Sequence, residues 1–215
     1  MTDGNLKIMI DPYLSDSVSK VETEKHRRQP VLEDIFDTEP DVMIFTHDHL
    51  DHFDPETAPR FLSGNRKPIT VLAPSSVWHK VRAYGGVNNY VQFNRYAEWT
   101  EGDIRFSAVK AEHSDPHAIG VIIEELETGK IYYVTGDTLY SREILSELPK
   151  NIDVTFLPIN GVGNNMNVRD AERFSRDCGT KRAVPYHVGM FDSLTPETFK
   201  SEKRLILKLY EETEM

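Results

Sequence analysis

The sequence is poor in cysteine, in basic residues and in long apolar runs. Its single cysteine, Cys178, excludes an internal disulfide, and a small buried side chain is far more expected there than a catalytic thiol. No stretch of about 18 apolar residues and no signal-peptide pattern is present, which predicts a cytoplasmic protein with no membrane partner. Lys and Arg total 25 against 35 Asp and Glu. Because nucleic-acid binding usually requires a basic surface, we expect no nucleic-acid partner.

The composition and length predict one globular domain over residues 1–215, with 39% hydrophobic and 28% charged residues. Short apolar runs that end at turn residues predict strands at 6–10, 41–46, 68–73, 90–93, 104–109, 120–125, 130–135, 153–158 and 182–185. Helical patterns with capping residues predict helices at 75–84, 141–148, 168–178 and 195–211, and one or two helical turns at 31–36. This mixture predicts an α+β fold in which helices cover mixed sheets.

The segment Thr46–His52 contains three of the eight histidines, directly after an apolar strand. His47 and His49 are two residues apart in an extended loop, so both side chains can bind one ion. Asp51 and His52 lie farther along the loop and can reach a second ion about 3.5–4 Å away. The alternative is a solvated polar loop, but the joint occurrence of three histidines and an aspartate favours a metal site.

Three further candidates each follow an apolar run: His113, Asp137 and His187. Taken singly, a histidine after a strand is more often a surface or core residue than a ligand. The segment around Asp137 is also typical of a simple turn, in which Gly136 allows tight backbone curvature. Together with the first cluster, however, these residues favour a site for two divalent ions, and imidazole and carboxylate ligands suit zinc, manganese and iron alike.

The order of these residues resembles the metallo-β-lactamase superfamily. The resemblance implies an αββα four-layer sandwich with the metals at one edge of the two sheets. It implies that the first metal is bound by His47, His49 and His113. It implies that the second metal is bound by Asp51, His52 and His187, with Asp137 bridging both.

Four segments narrow the resemblance to the branch that contains L-ascorbate-6-phosphate lactonase: Ile10–Ser15, His113–Gly120, Leu157–Gly161 and His187–Asp192. Members of the family usually begin with one more strand and a glycine-containing turn. This chain starts almost at the following strand, so we expect either a truncated chain or a missing first strand. A missing edge strand would leave the sheet able to pair with a second copy, as in a homo-oligomer.

The resemblance implies a metal-dependent hydrolase, with a phosphorylated sugar lactone such as L-ascorbate 6-phosphate as the expected substrate. A metal-bridging hydroxide would attack the carbonyl carbon, and Asp51 and Asp137 are the candidate catalytic carboxylates. The candidate contacts to this small anionic substrate are Asn160, Asn165 and Asn167. A glycine-rich turn with Asn167 as a helix cap explains the same segment equally well.

Three other functions are compatible with parts of the pattern. A phosphodiesterase or other ester hydrolase would use the same metals, although the acidic balance disfavours a nuclease. A di-iron redox protein resembles the pattern less, since such members have His-x-Glu where this chain has His47-x-His49 and also contain a flavin domain. A non-enzymatic metal-binding protein is disfavoured because seven ligands that leave a water position open are not typical of a closed structural site.

Overall fold

The computed structural model describes residues 6–64 and 66–214. The chain divides into two compact units, one ending at Asn94 and the other beginning at Arg95. Each unit contains one β-sheet and a buried apolar cluster of its own. That the two units together form one domain stays a prediction. Whether a strand precedes the first sheet concerns residues 1–5, which lie outside the described residues.

The first unit contains a parallel four-stranded sheet. Its strands, hydrogen-bonded in this order, are β1 (Ile8–Ile10), β2 (Val42–Ile44), β3 (Thr70–Ala73) and β4 (Asn89–Gln92). Its helices are α1 (Ala58–Leu62) and α2 (Ser75–Val81), with 3-10 turns at Ser17–Lys20, Glu33–Asp37 and Arg82–Tyr84. Every residue of the neighbouring strands β2 and β3 is buried, which explains why their sequences are continuously apolar.

The second unit contains a mixed six-stranded sheet. Its strands are β5 (Glu98–Glu101), β6 (Ile104–Lys110), β7 (Ile119–Glu125), β8 (Ile131–Val134), β9 (Val154–Pro158) and β10 (Arg182–Tyr186), in the spatial order β10-β9-β8-β7-β6-β5. The strands from β5 to β8 pair antiparallel, whereas β8, β9 and β10 pair parallel. Therefore β6, β8, β9 and β10 all run in one direction, and their carboxyl ends lie at the same edge of the sheet.

Two helices of the second unit follow the predicted capping signals. They are α3 (Arg142–Glu147) and α4 (Val168–Asp177). The Ser141 hydroxyl accepts the Glu143 backbone N–H at the start of α3, and the Asn167 side chain accepts the Asp170 N–H at the start of α4. Ala171 and Phe174 of α4 are fully buried within the unit's apolar cluster. The α+β content predicted from the sequence is confirmed.

One helix prediction is wrong, and helix α1 and strand β5 are absent from the sequence-based prediction. Residues 195–211 form only a 3-10 turn at Pro196–Thr198, after which Arg204 forms a parallel bridge to Ala183 of β10. The Leu205 N–H donates to the Ala183 carbonyl at 2.8 Å. This segment therefore provides hydrogen-bond partners for backbone groups at the edge of the sheet and does not form a helix. The one or two helical turns predicted at 31–36 are present as the 3-10 turn Glu33–Asp37. Among the described residues, no helix combines the length and apolarity needed to cross a bilayer.

Candidate metal-binding residues

The histidine cluster of the first unit lies in the loop that follows β2. The N–H groups of His52 and Phe53 both donate to the His49 carbonyl, at 3.0 and 2.8 Å, and so form a tight turn. The turn brings the rings together: the ring centroids of His47 and His49 are 4.6 Å apart, and those of His47 and His52 are 4.0 Å apart. His47 and His52 are buried although they are polar.

Asp11 organises this loop, and sequence reasoning had not assigned it a role. It follows β1, the parallel neighbour of β2, in the uncommon left-handed backbone region (φ +43°). Its carboxylate accepts three hydrogen bonds: from Thr46 N at 2.7 Å, from Thr46 Oγ1 at 2.5 Å and from His52 Nδ1 at 2.9 Å. Two sequence signals point to this position without giving it a role: an aspartate and a proline at the end of a strand, and the Ile10–Ser15 segment that resembles the lactonase branch.

These hydrogen bonds define the protonation of two imidazoles. Because the Thr46 hydroxyl donates its proton to Asp11, it accepts from His47 Nδ1 at 3.0 Å. His52 Nδ1 donates directly to the Asp11 carboxylate. Each ring therefore has its proton on Nδ1 and a lone pair on Nε2, which is the form that binds a metal. Ligand atoms of Asp11, His47 and His52 lie within 4.8 Å of one another. The hydrogen bonds explain this proximity, because Asp11 orients the two imidazoles and is not needed as a third metal ligand.

The candidate ligands of the second unit follow three strands that end at the same edge of the sheet. His113 follows β6, Asp137 follows β8 and His187 follows β10. Gly136 has a φ of +61°, as the predicted tight turn before Asp137 requires. Asp137 is buried, and its Oδ2 lies 3.2 Å from His187 Nε2. His187 itself has a φ of +56°, another left-handed position at a residue with a candidate chemical role.

The three predicted substrate contacts lie between β9 and α4. Asn165 is buried and donates from Nδ2 to Asp137 Oδ2 at 2.8 Å. The Asn160 Nδ2 lies 2.9 Å from His187 Nδ1. Asn167 caps α4, as the alternative interpretation of this segment predicted. Their role as substrate contacts stays a prediction, although the side chains already have partners within the protein.

The donor atoms within each unit fit a divalent metal. Two ligands bound at about 2.1 Å to a tetrahedral ion lie about 3.4 Å from each other. The nitrogen–oxygen distances found here are close to that value: 3.8 Å between His52 Nε2 and Asp51 Oδ2 in the first unit, and 3.2 Å between His187 Nε2 and Asp137 Oδ2 in the second. Imidazole and carboxylate groups are also the donors that zinc, manganese and iron accept. The assignment of seven residues to two metals stays a prediction.

The chain resembles known proteins over most of its length. A family model described as a beta-lactamase superfamily domain matches residues 7–188. The UPF0173 protein PF0020 of Pyrococcus furiosus is 30% identical over 204 residues, which cover 93% of this chain and 83% of that protein. The UPF0173 metal-dependent hydrolase SERP1270 of Staphylococcus epidermidis is 31% identical over 216 residues, which cover 92% of this chain and 86% of that protein.

A solved structure supports the same fold. Igni18, described as a metallo hydrolase from the archaeon Ignicoccus hospitalis, superimposes with a TM-score of 0.74 at 20% identity, over 97% of this chain and 89% of that one. Together with the family match, this likeness confirms the predicted metallo-β-lactamase type of fold. The chain belongs to the beta-lactamase superfamily and, within it, to the UPF0173 family.

Proposed function

We propose that this protein is a metal-dependent hydrolase that binds two divalent ions. The proposed ligands are His47, His49, Asp51, His52, His113, Asp137 and His187. One observation carries the proposal: the Nδ1 atoms of His47 and His52 in the first unit and of His113 in the second donate to oxygen acceptors of the protein, so the ring lone pair lies on Nε2, the atom that binds a cation. A relative that is 31% identical is named a metal-dependent hydrolase, which supports the same assignment.

The chain's own residues would hold and orient the reacting groups. Bound ions would supply Lewis-acid activation of water and of a substrate carbonyl or phosphoryl oxygen. Asp11 keeps the rings of His47 and His52 in the required tautomer, directly for His52 and through Thr46 for His47. Asp137 is buried and held by the Asn165 amide, so its carboxylate would help to hold the ions in a fixed orientation. Asp51, the less buried carboxylate, would deliver a proton to the departing alkoxide.

We further propose a phosphorylated sugar lactone as the substrate, of which L-ascorbate 6-phosphate is an example. The support is the similarity of Ile10–Ser15, His113–Gly120, Leu157–Gly161 and His187–Asp192 to the lactonase branch. Opening a ring ester yields one product molecule, so a site for one small anionic molecule is sufficient.

Metal analysis combined with turnover tests the metal-dependent function. The protein is stripped with a chelator, reloaded separately with zinc, manganese or iron, and analysed for metal per chain. We expect about two ions per chain. His47→Ala should lose metal and turnover, because it removes a buried ligand. His79→Ala, which alters an exposed histidine of α2, should retain both. A His47→Ala protein with full metal content and turnover would contradict the proposal.

Two substrate classes separate the lactonase from the phosphodiesterase. Each reloaded protein is offered a phosphorylated sugar lactone, a simple lactone and bis(p-nitrophenyl) phosphate. Faster turnover of the phosphorylated lactone than of the simple lactone would support recognition of an anionic sugar. Hydrolysis of the diester alone would replace the lactonase assignment with a phosphodiesterase on the same metal ligands.

A further inference from the structure

One loop of the second unit contacts all three candidate metal ligands of that unit. The 160–167 loop joins β9 to α4. We propose that it acts as a positioning frame for His113, Asp137 and His187, and that Asn160 and Asn165 orient ligands rather than contact the substrate. The inference rests on the proposed function, because it assigns the loop a role toward the proposed metals.

The loop is closed and anchored by its backbone. Asn160 and Asn167 form an antiparallel bridge, and Gly161 N donates to the Met166 carbonyl at 3.1 Å. Gly161 has a φ of +66°, and a Cβ there would lie 3.0 Å from the Asn167 Cβ, so glycine allows this close approach. Met166 is fully buried, and its N–H donates to the Thr138 carbonyl at 2.8 Å. The loop is therefore fixed directly to the residue that follows Asp137.

The segments that contain His113 and Asp137 are also joined to each other. The Glu112 N–H donates to Thr138 Oγ1 at 2.8 Å, and the Leu139 N–H donates to the Glu112 carbonyl at 2.9 Å. Because Thr138 also accepts from Met166, one residue connects the 160–167 loop with both ligand segments. A displacement of the loop would therefore move His113 and Asp137 together.

The contacts to His113 and Asp137 use different groups of the loop. The Asn164 carbonyl lies 3.1 Å from His113 Nδ1, and a carbonyl can only accept, so the proton of this imidazole is on Nδ1. The Asn165 Nδ2 donates to Asp137 Oδ2. The Asn165 Oδ1 is buried and accepts no hydrogen bond from the described residues. Burial of that oxygen is unfavourable, which indicates that the amide is held in place for the bond donated by its nitrogen.

The contact between Asn160 and His187 can serve both forms of the imidazole. With Nδ2 of Asn160 facing Nδ1 of His187, the ring accepts at Nδ1 and donates from Nε2 to Asp137 Oδ2, 3.2 Å away. A cation on Nε2 requires the proton on Nδ1 instead. Rotation of the Asn160 carboxamide by half a turn then presents Oδ1 as the acceptor. A side chain with only an acceptor would favour the metal-binding form, and a hydrocarbon side chain would support neither.

Metal affinity of matched variants tests this role. The metal-free protein and the variants Asn160→Leu, Asn160→Asp, Asn165→Leu and Val162→Ala are titrated with zinc against a chromophoric chelator. Cobalt titrations followed by visible absorption report the ligand geometry, and circular dichroism confirms folding. Val162 is an exposed residue of the same loop and serves as the control.

We expect Asn160→Leu and Asn165→Leu to bind zinc roughly 10–100-fold more weakly, as is typical when an outer partner of a ligand is lost. Asn160→Asp should restore affinity, because its carboxylate accepts from Nδ1, and Val162→Ala should match the wild type. Folded leucine variants with wild-type affinity and an unchanged cobalt spectrum would overturn the inference. So would a higher KM for the lactone at constant kcat and constant metal affinity, since that result identifies a substrate contact.

The experiment separates this inference from the proposed function. A wild-type protein that binds zinc and shows the expected pattern among the variants, but hydrolyses neither lactones nor diesters, would refute the hydrolase and support the frame. A wild-type protein that hydrolyses a lactone while the leucine variants bind zinc normally would refute only the frame. A wild-type protein that binds no divalent metal would refute both.

Discussion

Replacement of Asp11 by asparagine should weaken metal binding although Asp11 is not a proposed ligand. The carboxylate accepts from Thr46 N at one oxygen, and from Thr46 Oγ1 and His52 Nδ1 at the other. An asparagine has the same shape but only one acceptor oxygen. Whichever way the amide is turned, its NH₂ group faces at least one donor that has lost its acceptor.

The size of the effect follows from the number and kind of these contacts. A hydrogen bond to a charged group stabilises a protein by about 1.5–3 kcal/mol, and the Asp11 side chain is only 13% exposed. At about 2–4 °C per kcal/mol for a chain of this length, the loss of one such bond should lower the Tm by roughly 3–12 °C. Loss of the ligand's outer partner should also reduce metal affinity by about 10–100-fold, which corresponds to about 1.4–2.7 kcal/mol.

Asp48→Asn is the matched control. Asp48 lies between His47 and His49 in the sequence, but its carboxylate pairs with Lys80 Nζ at 2.7 Å, and the Lys80 side chain is largely exposed. Exposed ion pairs contribute at most about 1 kcal/mol, so this variant should bind zinc and melt almost like the wild type. Chelator competition and thermal denaturation measure both quantities. Equal zinc affinities for Asp11→Asn and the wild type, or a larger loss in Asp48→Asn, would refute the reasoning.

Two further predictions concern the second unit. Asn167→Ala removes the cap of α4 and should lower stability by about 1 kcal/mol, whereas Asn167→Ser retains a capping oxygen; thermal melts that do not distinguish the two would contradict the capping role. Burial raises the pKa of the Cys178 thiol, so a thiol reagent should modify the native protein much more slowly than the denatured protein. Rapid labelling of folded protein would show that this thiol is accessible and reactive.

In the candidate site, the sequence predicts contacts between residues that are close together in the chain, but not contacts between distant residues. The spacing of His47, His49 and His52 predicts a cluster, and their rings do pack together within the first unit. Asp11 could not be identified in the same way, because it lies 35 positions before Thr46 in the sequence. Parallel pairing of β1 with β2 brings the two residues together, and no periodicity in the sequence encodes that pairing.

Two polar residues of the 160–167 loop, Asn160 and Asn165, likewise have partners that are distant in the sequence and could not be predicted from it. Its composition, rich in asparagine and glycine, is compatible with a turn, a helix cap or a ligand-binding loop. The sequence offers the cap at Asn167 as one of two interpretations, since capping depends on residues three positions apart, and the structure shows that cap. The partners of Asn160 and Asn165 are 27 and 28 residues away in the chain, so only the folded sheet edge determines which donor meets which acceptor.

The sequence by itself determined the features that depend on neighbouring residues. The continuous apolar run at β2 specified a strand buried on both faces, and serine and asparagine caps specified where α3 and α4 begin. Only the tertiary structure decided that residues 195–211 are not a helix. There the backbone groups at the edge of β10 required hydrogen-bond partners, and the bridge between Ala183 and Arg204 provided them at the expense of the local helical pattern.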